Sequence, residues 1–175
     1  MGQHAALVSI TAWSDNVEES QRLNRPVWAV KTEDNQKLIR RVWAKYLHVY
    51  LVFLSYTDGV KNPYISGVAK MMSDATMPTR KWKKEGAWDE FPCFVVDWLL
   101  LECLPQEKRH ADWAVPKSGV NLVLKEDRPG IVQYILEAQH RTRNREELLY
   151  MQRYIVPRDQ SPLRKRKVHT PPSSK

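Results

Sequence analysis

Residues 48–71 read HVYLVFLSYTDGVKNPYISGVAKM. The first stretch, His48–Tyr56, is rich in β-branched and aromatic side chains and stops at Thr57-Asp58-Gly59, a turn triplet. Tyr64–Met71 resumes the same character, which predicts two antiparallel strands at the centre of the fold. On the N-terminal side, Gln36–Tyr46 puts Leu38, Ile39, Val42, Trp43 and Tyr46 on one helical face. Pro26–Lys31 (PVWAVK) and Ala6–Thr11 (ALVSIT) read as strands. Between them, Asn16–Leu23 collects helix formers behind Asp15, an N-cap residue type. On the C-terminal side a polar segment, Met72–Pro92, precedes two further strand-like runs, Cys93–Cys103 and Gly119–Lys125. Asp127 and Pro129 open a helix carrying Ile131, Tyr134, Ile135 and Ala138. A last amphipathic helix, Arg145–Ile155, carries Leu148, Leu149, Met151 and Tyr154. About five strands mixed with three or four helices define an α/β or α+β domain with a largely antiparallel sheet.

Composition narrows the function. The chain has 175 residues, 42% of them hydrophobic, which suits one folded unit with tails. That unit is placed at 6–156, after a short N-terminal tail (1–5) and before a basic, Pro/Ser-rich tail (157–175) with little to bury. Lys and Arg number 28 against 20 Asp and Glu, a formal charge of +8, which favours a polyanionic partner. No apolar run is long enough for a membrane span, and MGQHAALVSI lacks the charged start of a secretory signal. An intracellular protein is expected. Arg164-Lys165-Arg166-Lys167 reads either as a nuclear address or as a solvated tail, so nucleus and cytoplasm both stay open.

Catalytic chemistry finds no foothold. There is no GxSxG, GxGxxG or P-loop pattern, and His4, His48, His110, His140 and His169 are scattered without metal-ligand spacing. Asp89/Glu90 and Glu146/Glu147 are adjacent pairs, read as solvated carboxylates. Cys93 and Cys103 bracket an apolar run and read as buried, inert thiols. A binding module without enzymatic activity, metal or cofactor is expected.

Seven tryptophans are the oddest feature. Trp43 and Trp98 fall on apolar faces and read as core. Trp82 and Trp88 lie in TRKWKKEGAWDEF, among Arg80, Lys81, Lys83, Lys84, Asp89 and Glu90. Indoles interleaved with cations supply what single-stranded nucleic acid needs, stacking faces for bases and charges for phosphates. The competing reading is a loop pinned to the core by its two indoles.

At this point the chain resembles the YTH domain, the reader of N6-methyladenosine in RNA. ITAWSDNVEES followed by RPVWAVK has that family's strand, loop, helix and tryptophan-bearing strand in order. The hairpin HVYLVFLSYTDGVKNPYISGVAKM is its closest match, and FVVDWLLLECLP resembles the strand after the tryptophan loop. The resemblance implies an open, strongly curved, mixed β-barrel of five or six strands packed with three or four helices. It also implies an aromatic cage for the methyl group, with Trp28 and Trp82 as walls and Trp88 or Phe91 as the third. Asn16 would hydrogen-bond an adenine ring nitrogen, the Ala29 carbonyl would accept the remaining N6–H, and Thr11 and Ala12 would touch the base. The implied partner is methylated single-stranded RNA, bound by a monomer and coupled to mRNA regulation through effectors that stay unidentified.

Two departures from the family stand out. Ile10-Thr11 replaces a Lys-Ser pair, with Trp13 where a small polar residue is usual, and Ser118-Gly119-Val120-Asn121 lacks an Arg-Asp phosphate contact. Lys81, Lys83, Lys84 and Lys117 are the substitutes expected on the RNA backbone. Trp28 is expected to face a cleft while Trp98 seals the core. Two other readings stay open: a modified base in DNA, or an unmodified strand, on a related barrel, and a peptide docked on surface tryptophans.

Overall fold

A computed structural model describes residues 4–59, 62–100, 117–137 and 145–156. The predicted hairpin is present as β3 (His48–Ser55) and β4 (Tyr64–Met71), paired antiparallel. Around it run β1 (Ala5–Thr11), α1 (Ser14–Arg22), β2 (Val27–Trp28) and α2 (Glu33–Lys45) on the N-terminal side. A single 3-10 turn (Ala87–Glu90), β5 (Phe94–Leu100), β6 (Val120–Leu122), α3 (Arg128–Glu137) and α4 (Arg145–Ile155) follow.

The strands form one sheet in the order β2-β5-β4-β3-β1-β6. Among the described residues only β1 and β3 pair in parallel, because the chain crosses from one to the other through α1, β2 and α2; every other ladder there is antiparallel. Along β3 alternate side chains serve two cores. Val49, Leu51 and Phe53 enter the layer under α1 and α2, while Tyr50, Val52 and Leu54 enter the layer under α3 and α4. Burial on both faces is why this strand reads as continuous apolar sequence instead of an alternation. Irregularities at Phe53/Leu54 and Val68/Ala69 add local twist. In a flat sheet β2 and β6 would stand about 24 Å apart, five spacings of about 4.8 Å. Yet residues next to both edges line one cleft, so the sheet curls into the expected half-barrel, with six strands and four helices among the described residues.

Several element ends differ from the sequence reading. Helix α1 starts at Ser14 with Trp13 at its N-cap position and no side-chain cap, so Asp15 sits in the first turn, where its charge favours the helix dipole, and does not cap it. Strand β2 keeps only two ladder residues before Ala29 and Val30 turn into the core. Helix α2 begins three residues early because Thr32 caps it, accepting from the Asn35 N–H at 3.3 Å. Strand β6 is shorter at both ends than Gly119–Lys125. Ala138, Cys103 with the end of the Cys93–Cys103 run, His110, His140, His169 and the basic tail from Pro157 lie outside the described residues. Among the described residues no helix is long and apolar enough to cross a membrane.

The two carboxylate pairs are not simply solvated. Glu147 on α4 accepts from Tyr50 Oη at 3.1 Å and from Lys70 Nζ at 2.8 Å, pinning the helix to the sheet. Asp89 is engaged in the tryptophan loop.

Candidate nucleic-acid interface

The tryptophan loop, between β4 and β5, is sequence that polar composition would place in solvent. Trp82 and Trp88 are instead buried in the layer beneath α1 and α2, so the loop is indeed pinned to the core by its indoles. Trp28 joins them from β2 and is 0% exposed, which corrects the expectation that it faces a cleft. Its ring meets Phe53 at 4.8 Å, Trp98 at 6.5 Å and Trp82 at 5.0 Å, the last tilted by 54°. A base stacked between two rings needs them about 7 Å apart, two stacking distances of about 3.5 Å each. The Trp28–Trp82 slot is therefore shut. The Arg80 guanidinium also stands over the Trp82 ring, 4.7 Å from its centroid. Both indole N–H groups, on Trp28 and Trp82, are buried with no acceptor, whereas Trp98 Nε1 donates to Ser20 Oγ at 3.1 Å.

Helix α1 closes this slot through bonds to backbone. Asn16 is fully buried and spends its amide on one residue's backbone: Oδ1 accepts from the Lys84 N–H at 2.8 Å and Nδ2 donates to the Lys84 carbonyl at 3.2 Å. Sequence reasoning gave this side chain to an adenine; in this structure both its polar atoms are occupied by the loop. One turn on, Glu19 accepts from the Lys83 N–H at 2.7 Å and pairs with Arg80. Asp89 accepts from the Trp82 N–H at 3.1 Å.

Beside the closed pair lies an open cleft of about 380 Å³. Trp88, Trp13 and Tyr56 supply its aromatic wall, and Thr11 and Ala12 form its floor at the carboxyl end of β1. Trp13 and Tyr56 are exposed, and Lys31 Nζ stands 5.0 Å over the Trp88 ring. Thr11 is bound to the start of β6, its N–H donating to the Gly119 carbonyl at 2.8 Å and its Oγ1 accepting from the Gly119 N–H at 2.9 Å. Ala12 is similarly tied: its N–H donates to Leu54 and its carbonyl accepts from Ser55 Oγ at 2.8 Å. Thr32, next to Lys31, holds φ at 101°, a strained value for a β-branched residue. Strain of this kind gathers at binding sites.

The predicted residues thus divide. Trp88, Thr11 and Ala12 line the cleft; Trp28, Trp82, Asn16 and Ala29 lie beneath its neighbouring surface, closed off. Phe91, the alternative third wall, is half-buried and is not among the residues lining the cleft. Lys81, Lys83, Lys84 and Lys117 are all exposed, and Lys84 Nζ sits 3.8 Å from Asp15. Lys31 and Tyr56 escaped sequence reasoning, since each only ended a predicted strand. Cys93 is buried as expected, and burial pushes its thiol up, opposed by Arg80. Among the described residues no three His, Cys, Asp or Glu side chains gather as metal ligands.

Comparison with known proteins gives one family. The model of the YT521-B-like domain (YTH) matches residues 10–117. The fold is similar to the crystal structure of the Mmi1 YTH domain, with a TM-score of 0.59 at 15% identity over 78% of this chain and 91% of that one. An Mmi1 YTH domain in complex with RNA gives 0.57 at 16% identity, covering 82% of this chain and 86% of that one. The YTH domain of Zygosaccharomyces rouxii MRB1, solved with N6-methyladenosine RNA, gives 0.54 at 16%, covering 77% and 86%. No curated protein matches the sequence.

Proposed function

The chain belongs to the YT521-B-like (YTH) domain family, and on that premise we propose that it is an RNA-binding reader that recognises N6-methyladenosine in a single strand and links modified transcripts to downstream mRNA fate. One observation carries the reading: Trp28 and Trp82 meet directly beside an open cleft walled by Trp88, with exposed lysines on the loop around them. An N6-methylated amine is neutral, slightly larger than adenine's and keeps one N–H. It calls for an apolar slot and a single acceptor. Indoles 28 and 82 form the slot once they part, Trp88 forms the third wall, and the Ala29 carbonyl is the acceptor. Thr11 and Ala12 meet the base edge from the floor. Lys81, Lys83, Lys117 and Lys31 carry the phosphates in place of the family's missing Arg-Asp pair. The Arg164–Lys167 segment is either a nuclear address or an extra electrostatic contact to the RNA.

The test is titration of one short RNA with and without the methyl group, beside the DNA of the same sequence. A filled apolar pocket supplies about 1–3 kcal/mol, so about tenfold or more in favour of the methylated RNA is expected. Equal affinity for both RNAs overturns the cage and leaves a second reading, which the closed Trp28–Trp82 pair favours: an unmodified strand lying in the open cleft on Trp13 and Tyr56.

A further inference from the structure

Two features of the closed slot point to a second arrangement. Two indole N–H groups, each in a side chain more than nine-tenths buried, point at no acceptor. Burying such donors unpaired is unfavourable unless another arrangement supplies the partner. Meanwhile the strongest polar contacts of the region lie between α1 and the loop: Asn16 with both backbone polar groups of Lys84, and Glu19 with the Lys83 N–H and the Arg80 side chain. The Asn16 contact has a particular chemistry. The Asn16 Nδ2, which here donates to the Lys84 carbonyl, is the donor that an adenine ring nitrogen would accept from. The Lys84 carbonyl takes the bond that the ring nitrogen would accept, and the Lys84 N–H occupies the other end of the amide.

We propose that α1 is a latch on the binding site: Asn16 and Glu19 hold the tryptophan loop shut over Trp28, with the Lys84 backbone occupying the amide that an adenine edge must claim to enter. The inference rests on the reading that this site takes a flipped base. Glu19 is a positioning residue here, since it touches the loop and not the ligand. Apparent affinity is the intrinsic affinity multiplied by the fraction of molecules whose loop is released, so weakening the latch at Glu19 raises affinity without adding a contact. Asn16 behaves differently. Losing it releases the loop but also removes the group the base would engage, so the gain is cancelled.

The experiment measures two things on wild type, Glu19→Gln, Glu19→Ala and Asn16→Ala. The first is amide hydrogen exchange at Lys83 and Lys84 without RNA, with the β3 and β4 amides as the folding control. The second is affinity for a short N6-methyladenosine RNA. Expected for Glu19→Ala is exchange about tenfold faster at both loop amides, since a hydrogen bond to a charged group is removed, and a comparable tightening on RNA. Glu19→Gln should lie between it and wild type. Asn16→Ala should speed exchange at Lys84 with no gain in affinity. Unchanged loop exchange in Glu19→Ala overturns the latch, and faster exchange with unchanged or weaker RNA binding overturns its role as a gate. Should neither wild type nor any variant bind RNA, the reader assignment is what fails, and the exchange rates alone decide whether α1 holds the loop.

Discussion

Beneath α3 and α4 the sheet is covered by aliphatic side chains, with Leu7, Val52 and Leu99 packed on Ile131, Ile135 and Met151. Polar groups in that layer are matched: Tyr50 and Lys70 share Glu147, and the buried Arg128 donates to the Val123 carbonyl at 3.1 Å. The layer beneath α1 and α2 holds Trp28, Trp82, Trp88 and Trp98, and part of its cover is a loop whose only regular element is one 3-10 turn. Trp28 and Trp82 in that layer leave indole N–H groups unmatched. One face is sealed by helix shape, and the other by large rigid rings under side-chain bonds to loop backbone. The latch proposed above predicts that the second opens when four hydrogen bonds to α1 break, with the helices and strands keeping their packing.

The largest effects should come from the rings themselves. Trp98 is packed on Phe53 at 4.7 Å and crowds β4 so closely that a side chain on Gly67 would come within 2.6 Å of it. Trp98→Ala should cost about 3–5 kcal/mol through the cavity it leaves. Trp28→Ala should cost a similar amount, since Trp28 is as deeply buried, and methyl selectivity should be judged on it only under conditions where the protein stays folded. In the aliphatic layer, Met151→Ala should cost about 2–5 kcal/mol and leave the RNA preference unchanged. Urea unfolding gives the stabilities, and parallel RNA titrations give the preference. A Met151→Ala protein that is folded but indifferent to methylation would break the separation between the two faces.

A middle-sized effect sharpens the same contrast through pH. Burial, with Glu147 close by, pushes the Tyr50 hydroxyl well above the ordinary tyrosine value. The folded state thus holds this proton more tightly than the unfolded chain. The contribution is complete below the unfolded value of about 10 and drains away as pH rises from there towards the raised value, at about 1.4 kcal/mol per pH unit. Tyr50→Phe should flatten that alkaline fall in stability. A slope unchanged in the variant would place the alkaline sensitivity outside the aliphatic layer.

What the sequence disclosed follows the same division. The bounds of β4 and α4 were legible to the residue, because an apolar run between turn signals and a helical stripe are local patterns. The curl was implied only by family resemblance, since no local pattern says that the residues beside β2 and β6 line one cleft. Trp28 was named as a site residue, but its neighbours in sequence cannot say whether its ring looks into a cleft or into Phe53 and Trp98. Trp82 and Trp88 sit among charges that suggest solvent, and the loop that carries them is bound by Asn16 and Glu19, 68 and 64 residues away from the Lys84 and Lys83 backbones they hold. The cleft residues Lys31 and Tyr56 carry no signal until the fold brings them beside Trp88.

The smallest expected effect on stability concerns the cations, and it distinguishes the free rim of the tryptophan face from its latch. Lys81, Lys83 and Lys117 are exposed, and among the described residues their ammonium groups form no ion pair. Replacing the three by Ala should change stability by no more than about 0.5 kcal/mol. On RNA, each phosphate left without its lysine takes about 0.7 from the slope of log K against log salt for a single strand. Methyl selectivity should persist, because phosphate contacts carry no base information. Lys84 is the internal control. Its ammonium already faces Asp15 and its backbone is held by Asn16, so Lys84→Ala should leave the slope nearly as it was. A slope that ignores the triple substitution but falls in Lys84→Ala would mean that the strand runs along α1 itself, over the latch, and that the loop is opened by the RNA backbone before any base arrives.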